Sequence, residues 1–351
     1  MKPLLLRATL ALCMLPVAWL AAEGIGSLSL AWKASRTPIV LREQFHCEYD
    51  PDLGWMNKPN WRAPNVYGPG IDLNTNSQRL RGTREHALGK PAGTYRVLCL
   101  GDSFTMGYGV ADDESYPARL EQACPGLEAI CMGLGGFGLD QAYLWYRRDG
   151  VKFEIDTLLV AVIDGDFYRM VALEKATESP KPQLELHEGR LVVTNVPVPN
   201  YFVRPETFSG GMSLWKASAL YRWISGRSKP ASAPAAPVAF RDMPFAPLAR
   251  AVFEQLRDLS RERGQRLVVV YLPVRNEAVI GRTPLCDEWL APMLRELGID
   301  LVELIPDFKA LTPGRLNTHY LADGHYSELG NTLAAAVLLR ELRRLDPGVP
   351  R

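Results

Sequence analysis

Short apolar runs alternating with helix-patterned segments predict an α/β protein built on a parallel sheet covered on both faces. Five runs carry this expectation, at residues 96–100, 128–132, 156–163, 266–272 and 300–304. Helix-patterned segments at 116–123, 140–148, 248–263, 291–297 and 327–344 separate or follow them. Each of the first three runs ends in a turn rich in glycine or aspartate, where a parallel sheet presents its ligand-facing edge.

The 351 residues are 47% hydrophobic and 23% charged, a globular composition with enough apolar content for a full core. A formal charge of +1 without a lysine/arginine run argues against a nucleic-acid partner. No sustained repeat is present. Residues 1–22 differ from the rest: Lys2 and Arg7 precede an apolar stretch, 8–22, that stops at Glu23. Basic residues before a short apolar core read as a signal-anchor or a cleaved signal peptide, with the anchor favoured. The expected location is therefore membrane-anchored and facing the periplasm or exterior, or else secreted. A buried helix of a cytoplasmic protein is the competing reading.

Residues 33–93 are rich in proline, asparagine, glycine and arginine and are expected to form an irregular strap across the main domain. Trp55, Trp61 and Arg81 fit packing roles there better than substrate contact. Residues 170–247 interrupt the strand–helix alternation. Within them, 183–186 and 191–196 flank Glu188-Gly189 as a hairpin, 213–224 suit a short helix, and 229–237 are low complexity. An insertion at this edge of a parallel sheet is expected to act as a lid or recognition element. Of the six cysteines, Cys124 and Cys131 flank a Pro-Gly turn and form the first candidate disulfide, with free buried thiols as the alternative. The histidines lack metal-ligand spacing, and no cofactor is expected.

The first run leads into Gly101-Asp102-Ser103-Phe104, a tight turn with helix-start residues. A serine at a strand end, beside fresh backbone N–H groups, stands where an acyl nucleophile and its oxyanion hole belong. Its hydroxyl needs a general base and a carboxylate to orient that base. Of the five histidines, His325 lies in Asp323-Gly324-His325 between the last strand and the last helix. That connection emerges on the same side of a parallel sheet as Ser103.

These blocks together resemble the SGNH/GDSL hydrolase superfamily. Gly101-Asp102-Ser103-Phe104 matches its nucleophile block, Gly136 the glycine of its second, and Asp323-Gly324-His325 its last. The resemblance covers residues 94–345 apart from the insertion. It implies a flavodoxin-like three-layer α/β/α sandwich with a five-stranded parallel sheet, acting on esters. Ser103 would attack, His325 would be the base and Asp323 its orienter; the N–H groups of Ser103 and Gly136 would hold the oxyanion. The third block departs. Where the superfamily carries Gly-x-Asn-Asp, this chain has Asp164-Gly165-Asp166-Phe167, with Gly165 at the asparagine position and no amide. Either the remaining N–H groups suffice, or Asn195 or Arg147 replaces the amide, or the site is slow or repurposed.

The expected function is thus an ester hydrolase outside the cytoplasm. An O-acyl group on a glycan is the first candidate substrate, and a lipid ester the second. A glycan O-acyltransferase would use the same triad, and a non-catalytic envelope-polymer binder would keep only the cleft. Gly133–Gly138 lacks the spacing of a nucleotide-binding fingerprint.

Overall fold

The computed structural model describes residues 2–36, 46–172, 180–199 and 238–351. The expected helix at 213–224 and the low-complexity stretch 229–237 lie outside the described residues. One helix, Lys2–Arg36 with Pro16 inside it, belongs to the first of two compact units. Among the described residues no helix is long and apolar enough to cross a membrane, so a membrane-spanning anchor is not supported there. Described residues 46–199 and 239–351 belong to the second unit.

The second unit opens with two small antiparallel pairs, β1 (Cys47–Asp50) with β2 (Gly54–Asn57) and β3 (Arg62–Ala63) with β4 (Leu73–Asn74). The strap is therefore more regular than its composition suggested. Backbone pairing this short leaves little periodicity to read.

The central sheet holds β5 (Tyr95–Gly101), β6 (Leu127–Gly133), β7 (Thr157–Val162), β10 (Arg266–Tyr271) and β11 (Asp300–Glu303). Its spatial order is β11-β10-β7-β5-β6, with every pairing parallel. Counted within the sheet this is the order 2-1-3-4-5 of flavodoxin-like folds, whose switch point falls between the first and third strands. Here those strands are β5 and β7. The hairpin β8 (Gln183–His187) and β9 (Arg190–Thr194) stands apart from the sheet.

Period-2 alternation distributes the strands between two cores. Leu98, Leu100, Val269 and Tyr271 join the layer with the helices Leu139–Arg148, Phe245–Glu262 and Ala291–Leu297. Val97, Cys99, Val268 and Val270 join the layer with Tyr116–Gln122, Ile305–Lys309 and Glu328–Leu345. The result is a three-layer α/β/α sandwich.

The expected Cys124–Cys131 disulfide does not form; both are free buried thiols. The Pro-Gly turn feeds straight into β6, so Cys131 stands four residues up the strand, about 13 Å from its start. Cys124 stays behind at the helix end, its Sγ 3.3 Å from the Pro350 carbonyl, while Cys131 Sγ lies 3.3 Å from the Thr105 carbonyl. A disulfide needs Cα atoms within about 7 Å.

At the opposite, N-terminal end of the sheet Arg96 is fully buried in β5. Its Nε donates to Glu128 Oε2 at 2.9 Å, and its Nη1 to the carbonyls of Ala87 (3.0 Å) and Glu154 (3.1 Å). Glu128 also contacts His86 Nδ1 at 2.7 Å. One guanidinium thereby joins β5, β6, the strap and the entry to β7. Arg96→Met leaves Glu128 and the carbonyls of Ala87 and Glu154 without this donor, and should cost about 3–5 kcal/mol in urea unfolding. A loss below about 1 kcal/mol would show that the strap does not depend on it.

Candidate active site

Ser103 begins the short helix Ser103–Met106 directly after β5, so its N–H is among the amino-terminal donors that no helical carbonyl satisfies. Asp102 caps this turn: its Oδ1 accepts from Phe104 N–H at 2.9 Å. The helix sits against the end of β6, where a Cβ on Gly133 would lie 2.3 Å from Met106 N; only glycine fits. Gly136 follows in a turn with φ +74°, a left-handed conformation that glycine adopts without strain.

From the strap, buried Arg81 braces the loop that follows Ser103. It donates to the carbonyls of Met106 (2.7 Å), Gly107 and Val110, and its Nε donates to Asp112 Oδ1 at 2.9 Å. Trp55 is buried too, donating Nε1–H to Gly135 O at 3.1 Å with its ring edge-on to Phe137. Trp61 lies beneath the Lys58 ammonium, 4.1 Å from its ring centroid. The packing roles expected of Arg81 and Trp55 are what they do, and Trp55 and Arg81 each hold a loop of the site.

His325 arrives from the other end of the chain. Residues 320–326 fold back on themselves through a Tyr320–Tyr326 bridge and a 2.7 Å bond from Leu321 N–H to His325 O. Ser327 Oγ caps the last helix, accepting from Gly330 N–H, and Asn331 Oδ1 accepts from Tyr116 N–H at 2.9 Å. That helix is thereby tied to the layer beside the nucleophile. His325 Nε2 lies 2.9 Å from Ser103 Oγ, across 222 residues of sequence. The imidazole stands between Tyr108 and Phe104, with ring centroids at 4.4 and 5.0 Å. Asp323 Oδ1 is 3.3 Å from His325 Nδ1 and accepts the His325 backbone N–H at 3.1 Å. The Nδ1–Oδ1 pair is within ion-pair range but not aligned as a hydrogen bond. Partial burial pushes the Asp323 carboxyl up, and the nearby imidazole and the backbone N–H of His325 outweigh it, leaving a net downward shift.

No family model matches the chain, and no curated protein matches it. Solved structures do resemble it. A member of the lipolytic G-D-S-L family from Veillonella parvula is 12% identical over 72% of this chain and 100% of its own, with a TM-score of 0.39. A lipase/acylhydrolase from Enterococcus faecalis is 12% identical over 72% and 97%, with a TM-score of 0.40. The acetylxylan esterase Axe2 from Geobacillus stearothermophilus, solved as a catalytic mutant, is 14% identical over 72% and 96%, with a TM-score of 0.39.

The third segment differs from its expectation as a turn. Asp164, Gly165 and Asp166 form the first turn of a helix, Asp164–Val171. Asp166 is buried, its Oδ2 accepting from Ile163 N–H at 2.9 Å. Burial and neighbouring Asp102 push its carboxyl well above the ordinary range. Neither proposed amide substitute reaches this place. Asn195 donates to Lys181 O at 2.7 Å in the insertion, and Arg147 donates to Tyr143 OH at 3.2 Å on its own helix.

Arg169 is what sequence reasoning missed. Its Nη2 donates to Asp102 Oδ2 at 2.7 Å and to Asp166 Oδ1, and its Nε donates to Phe137 O at 2.8 Å. The available signal was Arg169 at i+3 from Asp166 on one helix face. Among the described residues no group of three or more His, Cys, Asp and Glu side chains is arranged to hold a metal ion.

On the far side of Asp164 lies Glu277, in the helix Arg275–Ile280 and 6% exposed. Its Oε1 accepts from Tyr271 OH at 2.7 Å and its Oε2 from Val274 N–H at 3.0 Å. Burial, with the charges of Asp164 and Asp287, pushes its carboxyl up to about 7. The folded chain therefore holds a proton that the unfolded chain releases at the lower, ordinary carboxylate pH. Stability should fall as pH rises from the ordinary carboxylate range to about 7, then level off. Glu277→Gln removes this titration, its amide donating to the Tyr271 hydroxyl oxygen. The variant's Tm should gain on the natural chain between pH 5 and pH 8. A constant Tm difference over that range would show that Glu277 is not the titrating group.

Proposed function

We propose that this chain is a serine ester hydrolase in which Ser103 is the nucleophile, His325 the general base and Asp323 the residue that orients it. The single observation carrying this reading is the 2.9 Å approach of His325 Nε2 to Ser103 Oγ at the carboxyl end of a parallel sheet. As Ser103 Oγ bonds to the ester carbonyl carbon, its proton passes to Nε2. The carbonyl oxygen becomes an oxyanion beside the N–H groups of Ser103 and Gly136. The tetrahedral centre then expels the alkoxide, which takes the proton back from Nε2. Water, deprotonated by the same nitrogen, resolves the acyl-enzyme. Asp323 keeps the Nδ1 proton in place and offsets the imidazolium charge. Its 3.3 Å separation is the kind of loose contact that tightens when substrate binds.

A cavity of about 350 Å³ opens beside the base, lined by Phe104, Val274, Arg275, Asn276 and residues 322–325. It is open to the surface and mixes apolar with polar walls, which suits the bulkier part of an ester. An O-acyl group on a glycan is the reading we favour, with a sugar hydroxyl in place of water giving acyl transfer. The basic residues Lys2 and Arg7 ahead of the apolar stretch 8–22 support action outside the cytoplasm. An alkaline phosphatase fused after residue 46 should be active in intact cells; an inactive, well-expressed fusion would move the protein to the cytoplasm.

For the chemistry, a fluorophosphonate probe should label Ser103, and the chain should hydrolyse p-nitrophenyl acetate. Ser103→Ala and His325→Ala should each lower kcat by about 10⁴-fold or more, and Asp323→Asn by about 10²–10⁴-fold. Equal rates for the natural chain and Ser103→Ala would remove the esterase reading. Glycan binding without labelling would favour a non-catalytic binder.

A further inference from the structure

Three strand ends meet at one guanidinium. Asp102 leads out of β5, Phe137 follows the turn after β6, and Asp166 lies in the helix after β7; Arg169 donates to all three. The Phe137 carbonyl it holds is one residue beyond Gly136, and the Asp102 carboxylate one residue before Ser103. The two N–H groups assigned to the oxyanion therefore sit next to atoms fixed by the same side chain. Arg169 Nη1 makes none of these contacts. A Cβ built on Gly165 would lie 3.1 Å from Nη1. The guanidinium edge thus fills the volume into which a side chain at position 165 would project, and that is where the sequence comparison called for an amide.

We propose that Arg169 replaces the missing third-segment amide, as a positioning residue that locks the Gly136 turn onto the nucleophile turn and brings an N–H donor and a positive charge over Gly165. This rests on the esterase reading of the same site. Electrostatics requires something of the kind. Asp102, Asp164 and Asp166 crowd one end of the sheet, and carboxylates unopposed there would resist a developing oxyanion. A guanidinium keeps its charge at every relevant pH and has donors enough to serve all three segments. A lysine would supply one point charge and could not span them.

The surroundings are built around this side chain. A Cβ on Gly138 would lie 2.5 Å from Asp140 Oδ1, 3.0 Å from Arg169 Cβ and 3.1 Å from Asp166 O, so this approach to the Arg169 helix is open only to glycine. The Arg169 carbonyl accepts from Lys181 Nζ, which is itself buried against the fully buried Asp140 at 2.5 Å. The insertion therefore anchors the end of the helix that carries Arg169.

The test uses the full chain. Arg169→Ala, with fluorophosphonate labelling and thermal unfolding measured alongside, should lower kcat on p-nitrophenyl acetate by about 10²-fold while KM moves less than about threefold. Arg169→Lys should recover little of that. Guanidinium ion added to Arg169→Ala should raise its rate at concentrations that leave the natural chain unaffected. The decisive variant adds Gly165→Asn to Arg169→Ala: an amide built back at position 165 should restore kcat at least about tenfold. An Arg169→Ala rate within threefold of the natural chain overturns the inference. So does a loss that neither guanidinium nor Gly165→Asn repairs. If Arg169→Ala fails to fold, Arg169→Lys at full rate overturns it equally. A natural chain that is labelled but indifferent to position 169 keeps the esterase reading and removes only Arg169. A natural chain neither labelled nor active removes both.

Discussion

Every strand of the central sheet runs the same way, and the site depends on that constraint. Parallel strands need crossovers, so each strand delivers its following turn to the same edge of the sheet. The segments after β5, β6 and β7 and the loop before the last helix reach that edge from positions as far apart as 103 and 325. The 2.9 Å contact between the serine and the histidine is then a matter of register along strands, not of a long loop reaching across the surface. Loop segments that arrive independently must still be fixed against one another to within fractions of an ångström, and parallel topology alone does not do that.

Two arginines, one buried and one half-buried, supply the fixing. Arg81 gathers the carbonyls of Met106, Gly107 and Val110 beneath the nucleophile turn, and Arg169 gathers Asp102, Phe137 and Asp166 across three strand ends. Loop backbone carries carbonyls that no ladder satisfies, and burying them unpaired is costly. A guanidinium answers several from one side chain whose geometry is already planar. Each arginine is itself neutralised, Arg81 by Asp112 and Arg169 by Asp102, with Asp166 accepting a further hydrogen bond from it. The strap and the insertion flank the sheet, and both contribute to this arrangement: the strap provides Arg81 and Trp55, and the insertion provides Lys181.

The sheet was largely legible in the sequence because apolar runs such as 266–272, set between helix-patterned segments, read as buried strands, and strand ends fell within one or two residues of their expected places. The residues of the nucleophile turn and of Asp323-Gly324-His325 were legible because the chemistry of each is local: a serine at a strand end, and a histidine two residues after an aspartate. What escaped notice was non-local. The strap pairs β1–β2 and β3–β4 over two to four residues, too short for any period to register. The short helices at Arg275–Ile280, Ile305–Lys309 and Pro313–Thr318 are single turns or little more, stabilised by packing and not by their own propensity. Arg169 carries little local signal because its partners at 102 and 137 lie 67 and 32 residues away. The Cys124–Cys131 expectation failed for the converse reason. Closeness in sequence was taken for closeness in space, although an extended strand separates the two thiols at about 3.3 Å per residue.

The third segment then makes physical sense as an exchange. A neutral amide brings a dipole to an oxyanion and needs little around it. A guanidinium brings a full charge, and in a partly buried place that charge must be balanced or it costs several kcal/mol. Asp102 provides that balance and Asp166 a further acceptor; removing Asp102 while keeping Arg169 would leave the cation underpaired. Gly165 follows from the same exchange, since the arginine's edge occupies the space its side chain would need. An arginine at 169, acidic residues at 102 and 166, and glycine at 165 therefore form one unit in which no member can change alone without leaving an unpaired polar group or a clash behind.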